Sequence, residues 1–377
     1  MKFSASSAEL LRALTTVAGA VPSKSTLPIL ECVLFEHDGD MLRLSATDLE
    51  ISIIQSLQVQ FESNGSGGRG NRIAVPAKRL LDTLRALPNL PISFATDDEF
   101  HITLQTDQGK YKMVGQDGAD FPALPEISGQ SGFQTNGEIL RRAILKTSFA
   151  VSKDALRPAM MGIYFQIQQD RGRLVATDGH RLVRLTMESV TSELPSNYIV
   201  PEKAMTLASR VASDADCAVL VDGSYASFDF GACRVLARLI DENYPNYEAV
   251  IPVENDKRLA VNREAMLAAV KRVGLYSSSM TNQIRLSISK DKVQISAEDI
   301  ERSSEANETV SADYDSEDMV IGFNAAYLTE VLSHLDADEI VFELSSPNRA
   351  GIVTPLEQKD GEELLMLIMP VMLNTYA

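Results

Sequence analysis

The segment VATDGHRLVRL (175–185) brings an acid, an imidazole and a guanidinium, Asp178, His180 and Arg181, within four residues. An imidazole oriented by a carboxylate can act as a general base, and a carboxylate with an imidazole is half of a metal site. The rest of the chain completes neither. The four histidines, His37, His101, His180 and His334, have no metal-ligand spacing to one another, and there is no nucleophile elbow, phosphate-binding loop or dinucleotide fingerprint. The acid also recurs without the histidine: LSATD ends at Asp48, LVATD at Asp178 and ISAED at Asp299. An Asp repeated in that setting is a turn residue, its carboxylate accepting from backbone N–H groups. A hydrolase built on Asp178 and His180 is therefore the weaker expectation. The stronger one is a protein with no catalytic residue, no metal and no cofactor.

Those Asp positions belong to a longer repeat. FSASSAELLRALTTVAGAV starts at Phe3, FQTNGEILRRAILKTSFAV at Phe133 and LAVNREAMLAAVKRVGLYS at Leu259. Aligned, Leu10 matches Leu140 and Met266, Ala13 matches Ala143 and Ala269, and Leu14 matches Ile144 and Val270. VPAKRLLDTLRAL (from Val75), VPEKAMTLASRVA (from Val200) and FNAAYLTEVLSHL (from Phe323) form another marker, and Asp120-Phe121-Pro122 with Asn243-Tyr244-Pro245 a further one in two copies. The order predicts three similar domains, 1–128, 129–252 and 253–377. SNGSGGRGN (63–71) then reads as an insertion in the first.

Each repeat is doubled inside. IAVPAKRLLDTL and LAVNREAMLAAV both predict a short strand, a capping or Pro-containing turn and a helix. Apolar residues at helical spacing, Leu80, Leu84, Leu87 and Leu328, Leu332, Leu335, predict one buried stripe per helix. MLRLSATDLEISI (41–53), FHITLQT (100–106) and KVQIS (292–296) alternate like half-buried strands. The fold class is α+β: two amphipathic helices on antiparallel sheet in each domain. Six helices are predicted, at 7–21, 76–87, 137–151, 201–213, 262–273 and 324–335.

Charge is unevenly placed on that frame. The formal net charge of −17 argues against a stand-alone nucleic-acid reader. The six predicted helices, however, carry twelve Lys or Arg and six Asp or Glu, so they are net +6 and the remainder −23. Helices gathered on one side would make that side suitable for loose phosphate contact. The plain alternative is that Lys and Arg are good helix formers. The three cysteines, Cys32, Cys217 and Cys233, are far apart and predict buried reduced thiols. No apolar run approaches the ~20 residues that span a bilayer. MKFSASSAELLRAL lacks the continuous apolar core of a signal peptide, which predicts a cytoplasmic protein without a membrane partner. The end, MLIMPVMLNTYA, predicts a last strand over Leu364 to Ile368, then a Met-rich segment interrupted by Pro370 and suited to varied peptide partners.

The whole chain resembles the bacterial sliding clamp, the beta subunit of DNA polymerase III. The resemblance rests on TLPILECVLFE (26–36), ATDLEISI (46–53), VPAKRLL (75–81), DFPALPEI (120–127), VATDGHRL (175–182), NYPNYEAVIP (243–252) and LIMPVML (367–373). It implies a head-to-tail homodimer of three clamp domains per subunit, a ring with helices inside and sheets outside, each chain forming half. It implies duplex DNA as a sequence-independent, topologically held partner. It also implies a replicative polymerase, a clamp loader and repair proteins docking by short linear motifs between domains two and three. Matched by position, that groove would include Met160, Thr177, Gly179, His180, Arg181, Leu182, Pro245, Val250, Met369, Pro370, Val371 and Met372. His180 and Arg181 would supply hydrogen bonds at its rim. Lys24, Lys78 and Arg157 would contact DNA, and Tyr111, Leu275 and Tyr276 would meet the other subunit. Pro158 and Ala159 stand where some members carry aromatics, Met372 stands where a basic residue is common, and NTYA (374–377) runs past the usual end. The last two departures predict an altered peptide preference. A β-rich scaffold that never touches DNA is the remaining alternative.

Overall fold

A computed structural model describes residues 1–62, 71–128 and 131–373. Among them are six α-helices: α1 (Ser7–Val17), α2 (Ala77–Ala86), α3 (Gly137–Thr147), α4 (Glu202–Val211), α5 (Arg263–Gly274) and α6 (Ala325–Ser333). Each follows directly on a strand, respectively Lys2–Ser6, Arg72–Pro76, Ser131–Asn136, Ser196–Pro201, Lys257–Asn262 and Met319–Asn324. The strand-turn-helix unit thus occurs twice per repeat, as the sequence predicts. The aligned positions Leu10, Leu140 and Met266, with Ala13, Ala143 and Ala269, and Leu14, Ile144 and Val270, are all buried. Each large apolar side chain there contributes roughly 1.5–3 kcal/mol by leaving water.

Three local expectations change. The predicted helices 7–21 and 137–151 end early, at Val17 and Thr147, and continue as separate 3-10 turns, Ala18–Ala20 and Ser148–Ala150. Leu87 does not join the α2 stripe. It caps the helix in extended conformation (φ −86°, ψ 143°), and the neighbouring Leu81 is buried instead. Pro76 is the N-cap of α2, one place ahead of the first helical turn. In the third repeat asparagines do the capping. Asn262 Oδ1 accepts from Ala265 N (3.0 Å), and Asn324 Oδ1 accepts from Ala326 N (2.9 Å) and Tyr327 N (3.2 Å). Caps of this kind contribute ~1 kcal/mol each.

The chain divides into two compact units, and the central repeat contributes to both. Met1–Arg141 with Thr206–Leu239 makes the first, and Arg142–Met205 with Ile240–Ala377 the second. The physical reason is strand pairing across repeats. In the first unit Ile51–Gln58 of repeat one pairs with Cys233–Arg238 of repeat two, Ile51 opposite Ala237, inside a nine-stranded sheet. In the second unit Arg181–Met187 of repeat two pairs with Glu362–Ile368 of repeat three, Arg181 opposite Ile368, inside a twelve-stranded sheet. The central repeat is therefore shared between two sheets. The three cysteines are buried and unbridged. Burial pushes the Cys32 thiol up to about 11 and Cys217 and Cys233 to about 12, so all three stay protonated and unreactive near neutrality. No helix among the described residues is long and apolar enough to cross a membrane. The 63–71 insertion, except Asn71, lies outside the described residues, as do 129–130 of the first predicted boundary and the NTYA end.

Candidate functional site

The Asp repeat is a turn device built twice to one pattern. Thr47 Oγ1 accepts from Leu49 N and donates to Ile51 O, while Thr177 Oγ1 accepts from Gly179 N and donates to Arg181 O. Asp48 Oδ1 accepts from Glu50 N and Ile51 N, and Asp178 Oδ1 from His180 N and Arg181 N. Asp299 Oδ1 accepts from Arg302 N in the third repeat. The turn needs a left-handed residue. Gly179 adopts it freely at φ +88°, whereas Leu49 is held there at φ +79° with about half its surface exposed. A left-handed L-residue costs ~1–2 kcal/mol, partly offset by glycine's greater freedom when unfolded. Leu49→Gly is expected to stabilise the protein by roughly 0.5–1 kcal/mol, seen as a raised denaturant midpoint at unchanged slope. A lowered midpoint would mean that Leu49 side-chain contacts outweigh the backbone cost.

The second of these turns borders a groove of about 480 Å³ in the second unit. Met160, Thr177, Gly179, Arg181, Leu182, Pro245, Val250 and Met369, eight of the twelve sequence-predicted residues, line it. Its floor rests on Val175, Leu182, Ile352, Leu365 and Leu367, which pack with Tyr247. Tyr164 and Tyr244 stack at 4.6 Å with Tyr247 edge-on to both, and Tyr247 donates to Gln166 Oε1 (2.8 Å). Burial pushes the three phenols above their usual range, so they stay neutral.

Four predicted residues do not line the groove. His180 is exposed and stacks on Tyr327 at 5.4 Å, while its carbonyl accepts from Met369 N (2.8 Å). Pro370 ends the last strand because it has no N–H to offer. Val371 then bridges to Gly322, and Met372 is 85% exposed. Among the described residues of the Met-rich end, Leu367 and Met369 line the groove, and Met366 is core.

Arg181 corrects the rim expectation. Its side chain is buried, with Nε donating to Asp178 Oδ2 (3.2 Å), Nη2 to Phe149 O (2.9 Å) and Nη1 to Glu330. The guanidinium also lies 5.2 Å from the Phe149 ring centre and 4.8 Å from that of Tyr327. These contacts tie the groove turn to the 3-10 turn after α3 and to α6, and leave little to offer a ligand. Sequence reasoning missed Asn246, Tyr247, Ala249, Ile251, Pro252, Asn348, Arg349, Ala350 and Leu367 as lining residues. The NYPNYEAVIP stretch contains five of these. The loop 345–350 carries turn residues, yet nothing in it marks which cavity it borders.

The helix cations are less free than counting predicts. Arg142 pairs with Glu362 and Asp336, and the buried Lys146 pairs with Asp336 and donates to His334 O. Lys24 and Lys78 are exposed. Arg157 is held by Asp154 Oδ2 (2.9 Å) and by the carbonyl of Asp178 (2.9 Å), beside Gly179. Tyr111, Leu275 and Tyr276 are 37%, 82% and 46% exposed, so none is a core residue.

The frame is a triplicated pair of strand-helix units, with an apolar groove beside one of its Asp turns. The chain belongs to the family of DNA polymerase III beta subunits, the beta sliding clamps, which are non-catalytic processivity factors of DNA polymerase. The N-terminal, central and C-terminal domains of that subunit match residues 1–125, 134–246 and 248–371. The beta sliding clamp of Synechococcus elongatus is 31% identical over 97% of this chain and 98% of its own. That of Pseudomonas putida is 29% identical over 99% and 100%. The sliding clamp of Pseudomonas aeruginosa bound to griselimycin superposes with a TM-score of 0.92 at 29% identity, covering 99% of this chain and all of that one. The Bacillus subtilis clamp shares the fold with the same TM-score at 24% identity, covering 99% of each chain.

Proposed function

We propose that two copies of this chain close head to tail into a ring of six modules, with boundaries near 128 and 252 in each chain. The helices face duplex DNA and the groove takes short linear peptides of the replicative polymerase, the clamp loader and repair proteins.

The observation that carries the ring is a pair of strand edges that have no partner strand among the described residues. Repeat one joins repeat two, and repeat two joins repeat three, through equivalent strands in equivalent register. The corresponding strands left over are Lys110–Val114, at the edge of a five-stranded sheet, and the first half of Ser304–Tyr314. Ala46, Ala176 and Ala297 stand opposite Ile53, Val183 and Ala306, which makes those three equivalent. Carrying the register over sets Ala306 opposite Tyr111 of a second copy and Glu305 opposite Lys112. A large ring would meet a small side chain, and opposite charges would pair. An unpaired edge otherwise invites aggregation, and ring closure covers it.

Topology makes high affinity for DNA unnecessary, which reconciles the −17 charge with a DNA partner. The deciding experiment loads the protein on nicked circular DNA and then linearises the circle. Retention on circles and loss from free ends is expected. Equal loss from both would reduce the protein to a scaffold. Replacing Lys24, Lys78 and Arg157 with Ala should also lower the slope of log affinity against log salt by roughly 2–3, at ~0.9 per lost phosphate contact. An unchanged slope would remove these residues from the DNA face.

A further inference from the structure

We propose that the first unit holds a binding site for a small carboxylic acid with an apolar body, with Arg43 as its anion partner and the hydroxyl of Ser45 as a second donor. The site shares no residue with the groove, and it does not rest on the peptide reading.

A cavity of about 650 Å³ lies between the nine-stranded sheet and the segment 122–127, with Leu34, Ile54 and Leu236 among its lining. That size suits a small organic ligand. Three arginines line it, and two are spent. Arg72 pairs with Glu36 (2.9 Å), and Arg234 Nε donates to Asp229 Oδ2 (2.9 Å). Arg43 is half-buried, and among the described residues its guanidinium has no hydrogen-bond or carboxylate partner. Glu36 stands opposite it in register but turns to Arg72. The second observation is Ser45, which is fully buried and whose Oγ has no partner. Two residues along the strand from Arg43, it points to the same face, and its cross-strand neighbours Leu34 and Ile54 both line the cavity. A hydroxyl buried without a partner is destabilising, so a ligand that accepts from it recovers that loss.

The equivalent place in the second unit shows which group is missing. Ala46 and Ala176 are equivalent, so Arg43 corresponds to Arg173, Ser45 to Val175 and Glu36 to Gln166. Phe121 corresponds to Tyr244, so Pro125 corresponds to Glu248. Arg173 has its acid: Nη1 donates to Glu248 Oε1 (2.9 Å) and to Gln166 Oε1 (3.5 Å). The first unit has a proline in place of that carboxylate, and a hydroxyl where the second has the apolar Val175. The one acid of segment 122–127, Glu126, is exposed and among the described residues makes no ion pair. A carboxylate from outside would complete Arg43 as Glu248 completes Arg173. It would accept from the guanidinium and from Ser45 Oγ, and its apolar body would rest on Leu34, Ile54 and Leu236.

The test is fluorine NMR on the full chain with 4-fluorophenylacetate and, as the neutral control, its primary amide. The native protein should bind the carboxylate about five- to tenfold more tightly than the amide, the range of a charged hydrogen bond on a half-buried guanidinium. Arg43→Gln should remove that preference and leave the amide affinity unchanged. Pro125→Glu should remove it too, by placing an internal carboxylate on Arg43 as Glu248 is placed on Arg173. Ser45→Ala should weaken the carboxylate probe about threefold, yet raise the denaturant midpoint of the unliganded protein, because it deletes a buried hydroxyl that has no partner. Leu220→Ser, at a partly exposed lining position, should weaken both probes alike. A preference that survives both Arg43→Gln and Pro125→Glu would overturn the proposal. So would a native protein that binds the two probes equally, or binds neither.

Discussion

Leu275→Asp is expected to turn a dimer into a monomer, moving the solution mass from twice 41.2 kDa to 41.2 kDa at micromolar concentration. Leu275 caps α5 and is 82% exposed, beside the half-exposed Tyr276. A leucine that exposed on a single chain is explained if a second copy covers it. Its burial is then worth roughly 1.5–3 kcal/mol. An Asp in its place forfeits that term and adds the cost of desolvating a charge with no partner. Together these amount to about 3–4 kcal/mol per interface, or a few hundredfold in dissociation constant. A head-to-tail ring contains the interface twice, so the variant should also fail to stay on circular DNA. The thermal midpoint of the single chain should barely move, because the site is exposed there. A dimer that survives Leu275→Asp would remove α5 from the interface and return the register of Tyr111 and Ala306 to question.

Arg181→Ala is expected to destabilise the second unit by about 3 kcal/mol, the lower end of what breaking a buried ionic network costs. Three acceptors and two rings lose their shared partner. Asp178 keeps its backbone donors and Glu330 is about half exposed, so neither becomes a fully orphaned charge. That is why the figure is not larger. Phe149 O has no such compensation, whereas each ring keeps a stacked histidine, His334 on Phe149 and His180 on Tyr327. Arg181→Lys should recover little, because an ammonium cannot span Asp178, Glu330 and Phe149 O with one planar fork. Denaturant titration decides it, and a stability within 0.5 kcal/mol of the native chain would show that the network is ornamental. If the loss is as large as expected, peptide binding should weaken too, since the same residue fixes the Thr177–Arg181 turn that borders the groove.

Much of this was legible in the chain itself. Six helices, their order and the aligned core positions follow from apolar spacing. Spacing of 3.6 and 2 residues is a local property that any segment carries with it. The Asp turns were legible for the same reason, because Thr47, Asp48, Thr177 and Asp178 bond to backbone within four residues. In the groove stretch from Pro245 to Pro252, the family resemblance supplied Pro245 and Val250 and left out the five other lining residues.

Other features were not readable at all. Arg181 is one arginine among many, and no local pattern marks it as spent on structure. Its role is set by Glu330, 149 positions away, and by the carbonyl of Phe149, 32 positions away. Likewise the helix cations Arg142 and Lys146 count as positive surface in one dimension and are neutralised by Glu362 and Asp336 in three. By itself the sequence determined the elements, the triplication and the chemistry of the turns, because those depend on neighbours along the chain. Tertiary structure alone decided how the central repeat is shared between two sheets, which strand edges go unpaired among the described residues and which helix cations are spent on ion pairs. Strand pairing and ion pairing between distant segments have no local signature.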